Sequence, residues 1–146
     1  MASDNINIGI VGLGFMAAMH IRAYRQIDSV TVAAICDLDP ERLKGDFTAA
    51  LGNIDSGDPV ILDMSQVKAY QDFNDLLADE SIDAIDICTP TRTHLRMTKP
   101  ALASGKHVIC EKPLAREIAE AREIAEAASQ AKGHFMVAMC LRFWPQ

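Results

Sequence analysis

Residues 5–17, N-I-N-I-G-I-V-G-L-G-F-M-A, constrain the fold more than any other stretch of the chain. Ile6, Ile8 and Ile10 alternate with small or polar residues, and the run stops at Gly12-Leu13-Gly14. That is the pattern of a strand entering a tight turn. From Phe15 the period changes, with Met16, Met19, Ala23 and Ile27 recurring at helical spacing through Asp28. A strand, a glycine turn and a helix in immediate succession open a chain of alternating strands and helices.

The alternation continues. Val30 to Asp37 is almost unbroken in apolar and β-branched residues, as a parallel strand covered on both faces requires, and it ends in an acid. Asp39 as N-cap and Pro40 at the first helical position predict a helix to about Leu51. Gly52 to Met64 is rich in turn residues and reads as a surface excursion. A short strand at residues 67–70, a helix near 72–78 and a strand at 82–88 follow. A helix from about Thr93 to Ser104 carries Pro100, which predicts a kink or break, and Gly105 closes it. Residues 106–110 form a fifth strand. An Ala/Glu-rich helix to about Lys132 places Leu114, Ile118, Ala121, Ala125 and Ala128 on one face, and residues 134–140 form a sixth strand. Six strands alternating with helices predict an α/β, Rossmann-like, doubly wound and mostly parallel sheet with helices on both faces.

With 146 residues, of which 49% are apolar, the chain is long enough for one domain with its own core and too short for two. Fourteen basic against 20 acidic residues give a net charge of −6, which disfavours nucleic acid as a partner. The apolar runs fall short of the roughly 20 residues of a membrane span, and the N-terminus lacks the basic flank of a signal peptide, so a cytoplasmic protein is expected. Cys36, Cys88, Cys110 and Cys140 form no C-x-x-C pair and read as small buried hydrophobes, with no metal site implied.

In doubly wound sheets, ligands bind beyond the carboxyl ends of the strands, so the strand-end segments are the candidates. Gly12-Leu13-Gly14-Phe15-Met16-Ala17 fits G-x-G-x-x-A. The first glycine permits the turn, the second lets backbone amides approach a pyrophosphate, and the small sixth residue packs helix against strand. The helix N-terminus then faces the anion. Gly12, Gly14, Phe15 and Met16 are thus cofactor-binding candidates. Asp37, 25 residues after Gly12, is placed to accept from ribose hydroxyls and to repel a 2′-phosphate, which favours NAD over NADP; Arg42, the nearest following arginine, could bend that preference. Asp37 could instead simply start the next turn. Thr89-Pro90-Thr91-Arg92-Thr93-His94 follows the fourth strand, and a histidine at a helix start reads by itself as a capping or packing residue. Glu111-Lys112-Pro113 follows the fifth strand. There Lys112 could donate to substrate oxygens or exchange a proton, as a base only with a lowered pKa. Taken alone it reads as a surface lysine answering Glu111.

The order G-L-G-F-M-A, an acid after the second strand, T-P-T-R-T-H and G-K-H-V-I-C-E-K-P resembles the N-terminal half of the glucose-fructose oxidoreductase, inositol dehydrogenase and MocA family, across essentially the whole chain. The resemblance implies a pyridine-nucleotide oxidoreductase that moves a hydride between the nicotinamide and a carbon bearing a hydroxyl or carbonyl, on a sugar, cyclitol or related polyol. It implies Lys112 as the catalytic contact to the reacting hydroxyl. Glu111 and Pro113, with Lys112, would shape the nicotinamide-ribose pocket, and Thr89, Pro90 and His94 would line the cofactor groove. Arg142 matches an R-F segment leading out of the domain. Family members continue for about as many residues again, in a domain that carries most substrate contacts and much of a homo-oligomer interface. This chain alone is therefore expected to bind nucleotide and to be nearly inactive.

Two rivals stand beside that reading. A stand-alone NAD(H)-binding or interaction module without catalytic activity would share every cofactor feature. A methyltransferase-like domain would share the glycine turn, but neither the acid position nor E-K-P.

Overall fold

The computed structural model describes residues 5–50 and 59–145. Six parallel strands form one sheet: β1 (Ile6–Val11), β2 (Val30–Cys36), β3 (Lys68–Tyr70), β4 (Ala84–Ile87), β5 (His107–Cys110) and β6 (Phe135–Val137), in the order β3-β2-β1-β4-β5-β6. The connections carry α1 (Phe15–Tyr24), α2 (Phe73–Ala78), α3 (His94–Ala103) and α4 (Ile118–Gln130). Val11 pairs with Cys36 on one side and Ile87 on the other, so β1 and β4 flank the point where the winding reverses.

Period-two alternation divides the strands between two cores. Ile8 and Ile10 of β1 pack with Ala17, Ala18 and Ile21 of α1 on one face, whereas Ile85 and Ile87 of β4 pack with Ala101, Leu102 and Val108 on the other. Each such isoleucine, buried completely, contributes about 1.5–3 kcal/mol relative to exposure. Asp86 lies between Ile85 and Ile87 and is fully buried on the α1 side, the one charged residue of β4. Asp72 caps α2 by accepting the Asn74 N–H at 2.7 Å, and Gly105, at φ +83°, closes α3.

Several sequence expectations are corrected. The apolar face of α1 is Ala17, Ala18 and Ile21, and Ile27 is exposed, because the helix stops at Tyr24 and turns a different side to β1. The helix expected after Pro40 is a single 3-10 turn at Arg42–Lys44. Gly45, at φ +74°, ends it; Asp46 then bridges Ile61, and Phe47 donates to the Val60 carbonyl at 2.9 Å. Backbone pairing across the loop thus replaces helix hydrogen bonds. Asp39 caps only locally, accepting from the Glu41 N–H. Of the turn-rich excursion, residues 52–58 lie outside the described residues, as does Leu51; Val60 and Leu62 return to the core rather than to the surface. The third helix runs unbroken through Pro100. The last helix starts at Ile118, and its buried side chain is Ile124, while Ile118 is 73% exposed and Ala125 is exposed. All four cysteines are free. Cys36 and Cys110 are buried, but Cys88 is only part-buried and Cys140 is exposed. No helix among the described residues is long and apolar enough to cross a membrane.

Candidate functional site

A cavity of about 850 Å³ opens beyond the carboxyl ends of β1, β2 and β4. Gly12, Gly14, Phe15 and Met16 line it from the first turn, Asp37 from the end of β2, and Thr89 and Pro90 from the end of β4. Seven of the sequence candidates therefore converge, brought together because all three strands point the same way. Gly12 adopts φ +86°, and a Cβ there would lie 2.6 Å from Thr89 Cγ2 and 2.9 Å from the Cys88 carbonyl carbon. Only glycine fits. Gly14 differs. A Cβ at Gly14 would meet nothing nearer than Arg42 Nη1 at 3.9 Å, so it would project into the open cavity. The space that Gly14 leaves empty lies at the start of α1, where unpaired N–H groups and the positive end of the helix favour an anion.

The Asp37 carboxylate is held from two sides. Oδ2 accepts the Leu13 N–H at 2.7 Å and Oδ1 the Asp39 N–H at 2.9 Å. This fixes an acceptor on the cavity rim, as recognition of vicinal hydroxyls requires. Arg42 does reach the site: Nη1 donates to the Leu13 carbonyl at 3.3 Å and Nε stands 3.7 Å from Asp39 Oδ2. Arg92 and Arg96, four positions apart and both lining the cavity, are not among the candidates that the sequence singles out. Their spacing around the start of α3 was the available signal.

The dinucleotide expected from the glycine turn fits this donor set. Gly14 leaves room where a side chain would intrude, α1 supplies N–H groups, and Asp37 supplies a fixed acceptor.

Four candidates stand elsewhere. His94 does not line the cavity but is buried, with Nε2 2.9 Å from the Thr89 carbonyl oxygen and Nδ1 3.1 Å from those of Pro113 and Leu114. The packing role read from its position alone is the one the structure shows. It ties the segment after β4 to the segment after β5. Glu111 is buried, while Lys112 and Pro113, joined by a cis peptide bond, are exposed at the end of β5 and outside the cavity lining.

Glu111 leads to a cluster absent from the sequence expectations. Its Oε1 lies 3.2 Å from His20 Nε2, and His20 Nδ1 lies 2.7 Å from Asp86 Oδ2. Tyr24 donates to the same Asp86 oxygen at 2.8 Å. The signals were an acid within an apolar strand and a His/Tyr pair at i, i+4 on the facing helix. Burial opposes charge on His20, but the bonds from Asp86, Cys88 and Glu111 outweigh it and raise the imidazole far above its usual range. Glu111 is held below the usual carboxylate range by His20 and by the Lys112 N–H, against the opposing effect of burial. His20, Asp86 and Cys88 also have donor atoms within 4.8 Å of one another. They hydrogen-bond among themselves, and burial pushes the Cys88 thiol up to about 12.

Residues 6–139 match the family model described as oxidoreductase family, NAD-binding Rossmann fold. The chain is 30% identical to D-apiose dehydrogenase of Paraburkholderia graminis over 136 residues, 93% of this chain and 32% of that one. It is likewise 30% identical to myo-inositol 2-dehydrogenase of Thermotoga maritima, over 86% of this chain and 34% of the relative. Among solved structures, scyllo-inositol dehydrogenase from Lactobacillus casei with bound NAD(H) and scyllo-inositol superposes with a TM-score of 0.78 at 27% identity, over 96% of this chain and 38% of that one. The chain spans about a third of the length of the curated relatives it matches. Their remainder is thus nearer twice its length than the equal length expected.

Proposed function

The chain belongs to the GFO/IDH/MocA oxidoreductase family, and on that premise we propose that it is the NAD-binding domain of a dehydrogenase acting on a CH–OH or C=O carbon of a sugar, cyclitol or related polyol. The observation that carries this reading is the cavity at the β1/β4 reversal, with Gly14 open to it and Asp37 fixed on its rim. The substrate class rests on the relatives, whose names are those of apiose and inositol dehydrogenases.

NAD, when bound, supplies the hydride acceptor or donor. The N–H groups at the start of α1 bind the pyrophosphate, and Gly12, Phe15 and Met16 shape the turn beneath it. Asp37 accepts from ribose hydroxyls and disfavours a 2′-phosphate, so NAD is preferred to NADP. Thr89 and Pro90 close the cavity from β4, with His94 holding their segment from behind. Lys112, exposed at the end of β5, donates to the reacting oxygen and takes or returns its proton, between Glu111 and Pro113. Substrate orientation needs reacting atoms held at roughly 3–3.5 Å, a task assigned to a further domain that also mediates homo-oligomer contact, so this chain alone turns over little. The exposed Leu141, Phe143 and Trp144 suit the entry to such a domain. The free cysteines suit a cytoplasmic setting.

Isothermal titration with NAD, NADH and NADPH tests the reading, repeated with Asp37→Asn. NAD(H) should bind in preference to NADPH, with the preference relaxed in the variant. Preference for NADPH, or binding of none of the three, would overturn it.

A further inference from the structure

The seam between α1 and the sheet contains a chain of contacts that ends at Lys112. Asp86 of β4 holds the His20 ring at Nδ1, 2.7 Å away, while Tyr24 fixes the same carboxylate oxygen at 2.8 Å. The Cys88 thiol lies 3.6 Å from the other Asp86 oxygen. The far side of the ring, Nε2, stands 3.2 Å from Glu111 Oε1. The remaining Glu111 oxygen, Oε2, accepts the backbone N–H of Lys112 at 2.9 Å. Each group is thus fixed by the one before it, from β4 through α1 to the end of β5.

We propose that His20 and Asp86 are positioning residues for Lys112: the ring, anchored on Asp86, holds the Glu111 carboxylate in the orientation that captures the Lys112 amide, and so sets where the lysine leaves the sheet. The inference rests on Lys112 contacting the reacting oxygen, as read above. Its physical basis is that both ring nitrogens face a carboxylate, so both must donate and the ring works as an imidazolium strut. The groups facing it are Tyr24 on its own helix, Asp86 and Cys88 from β4 and its end, and Glu111 from the end of β5. Their combined bonds hold its proton against burial. Lys112 itself is exposed, and among the described residues its side chain makes no hydrogen bond or close ion pair, only a longer-range attraction to Glu111. Its placement therefore depends on its backbone, and the backbone contact comes from Glu111. Without the strut, Glu111 would be a buried carboxylate robbed of its cation and free to turn away.

The first test needs no variant. Nitrogen NMR of the His20 ring and hydrogen exchange of the Lys112 amide are followed in this 146-residue chain between about pH 6 and about pH 9. A doubly protonated ring and a protected amide across that range are expected. A neutral ring, or an amide that exchanges as an open loop does, overturns the proposal. Two variants then separate positioning from packing. His20→Asn keeps a donor within reach of Asp86 and removes the one facing Glu111, whereas His20→Gln does the reverse. Exchange at Lys112 should accelerate roughly ten-fold or more in His20→Asn and clearly less in His20→Gln. Equal acceleration in both, or none, overturns the proposal. Lys112→Ala turnover in the complete enzyme probes the other premise: unchanged turnover would remove the catalytic reading of Lys112 while leaving the exchange results standing.

Discussion

Asp37 Oδ2 accepts the backbone N–H of Leu13 at 2.7 Å, so the acid that ends β2 also fastens the glycine turn that follows β1. One carboxylate thereby braces the turn and presents charge to the cavity. Asp37→Ala removes the acceptor for Leu13 and for Asp39 and should cost about 1–3 kcal/mol in urea unfolding. Asp37→Asn retains a carbonyl oxygen for one of them and should cost clearly less. Identical losses would argue against the brace.

The two glycines of the turn should respond to alanine in opposite ways. Gly12→Ala places a methyl 2.6 Å from Thr89 Cγ2 at φ +86° and should destabilise by about 1–3 kcal/mol or more. Gly14→Ala meets only Arg42 at 3.9 Å, so stability should change by less than about 0.5 kcal/mol while nucleotide affinity falls. Denaturant unfolding paired with calorimetric titration separates the two, and a stable Gly12→Ala would contradict the geometry.

Stability should fall on the alkaline side because of His20. Its proton is held far above the ordinary 6.5, so its contribution is complete below about pH 6.5 and declines as pH rises towards the folded value. The slope is at most about 1.4 kcal/mol per pH unit. Glu111 has the opposite sign: it is held below 4.5, and its contribution is present above that pH and lost as pH falls. Unfolding free energy measured from about pH 5 to about pH 9 should therefore decline above neutrality, and the decline should flatten in His20→Gln. A level wild-type profile would sink the prediction.

Helix α4 offers a test of its corrected face. Ile124 is fully buried, so Ile124→Ala should cost about 2–5 kcal/mol. Ile118, 73% exposed, should tolerate alanine within about 0.5 kcal/mol. Chemical unfolding of both variants is sufficient.

What was legible in the sequence follows from which forces act locally. Strand period, the glycine turn and the acid after β2 are properties of neighbouring residues, and they indicate Gly12, Gly14, Phe15, Met16 and Asp37, all of which line the cavity, whereas Thr89 and Pro90 are implied by the resemblance. The helix expected after Pro40 failed because Gly45 and the Asp46–Ile61 bridge belong to pairing with a distant segment, which no local period encodes. The helix faces failed for a related reason. Met16, Met19, Ala23 and Ile27 satisfy the spacing, yet close contact with β1 selects the small residues Ala17 and Ala18. At His94 the position at a helix start indicates a capping or packing residue, and the side chain is buried behind Thr89. The His20 cluster was invisible to apolar patterning, because its members come from two helix turns and two strand ends that meet only in the folded chain.

Asp86 sits in an otherwise apolar strand and answers His20 and Tyr24, and His20 in turn answers Glu111. These four positions form one epistatic block. A drift of position 86 to valine would strand the imidazole and the phenol, while the same change made after position 20 had become apolar would cost far less. Substitution histories across homologous chains should accordingly show positions 20, 24 and 86 changing together, with the order of changes constrained, even though the glycine turn beside them varies independently.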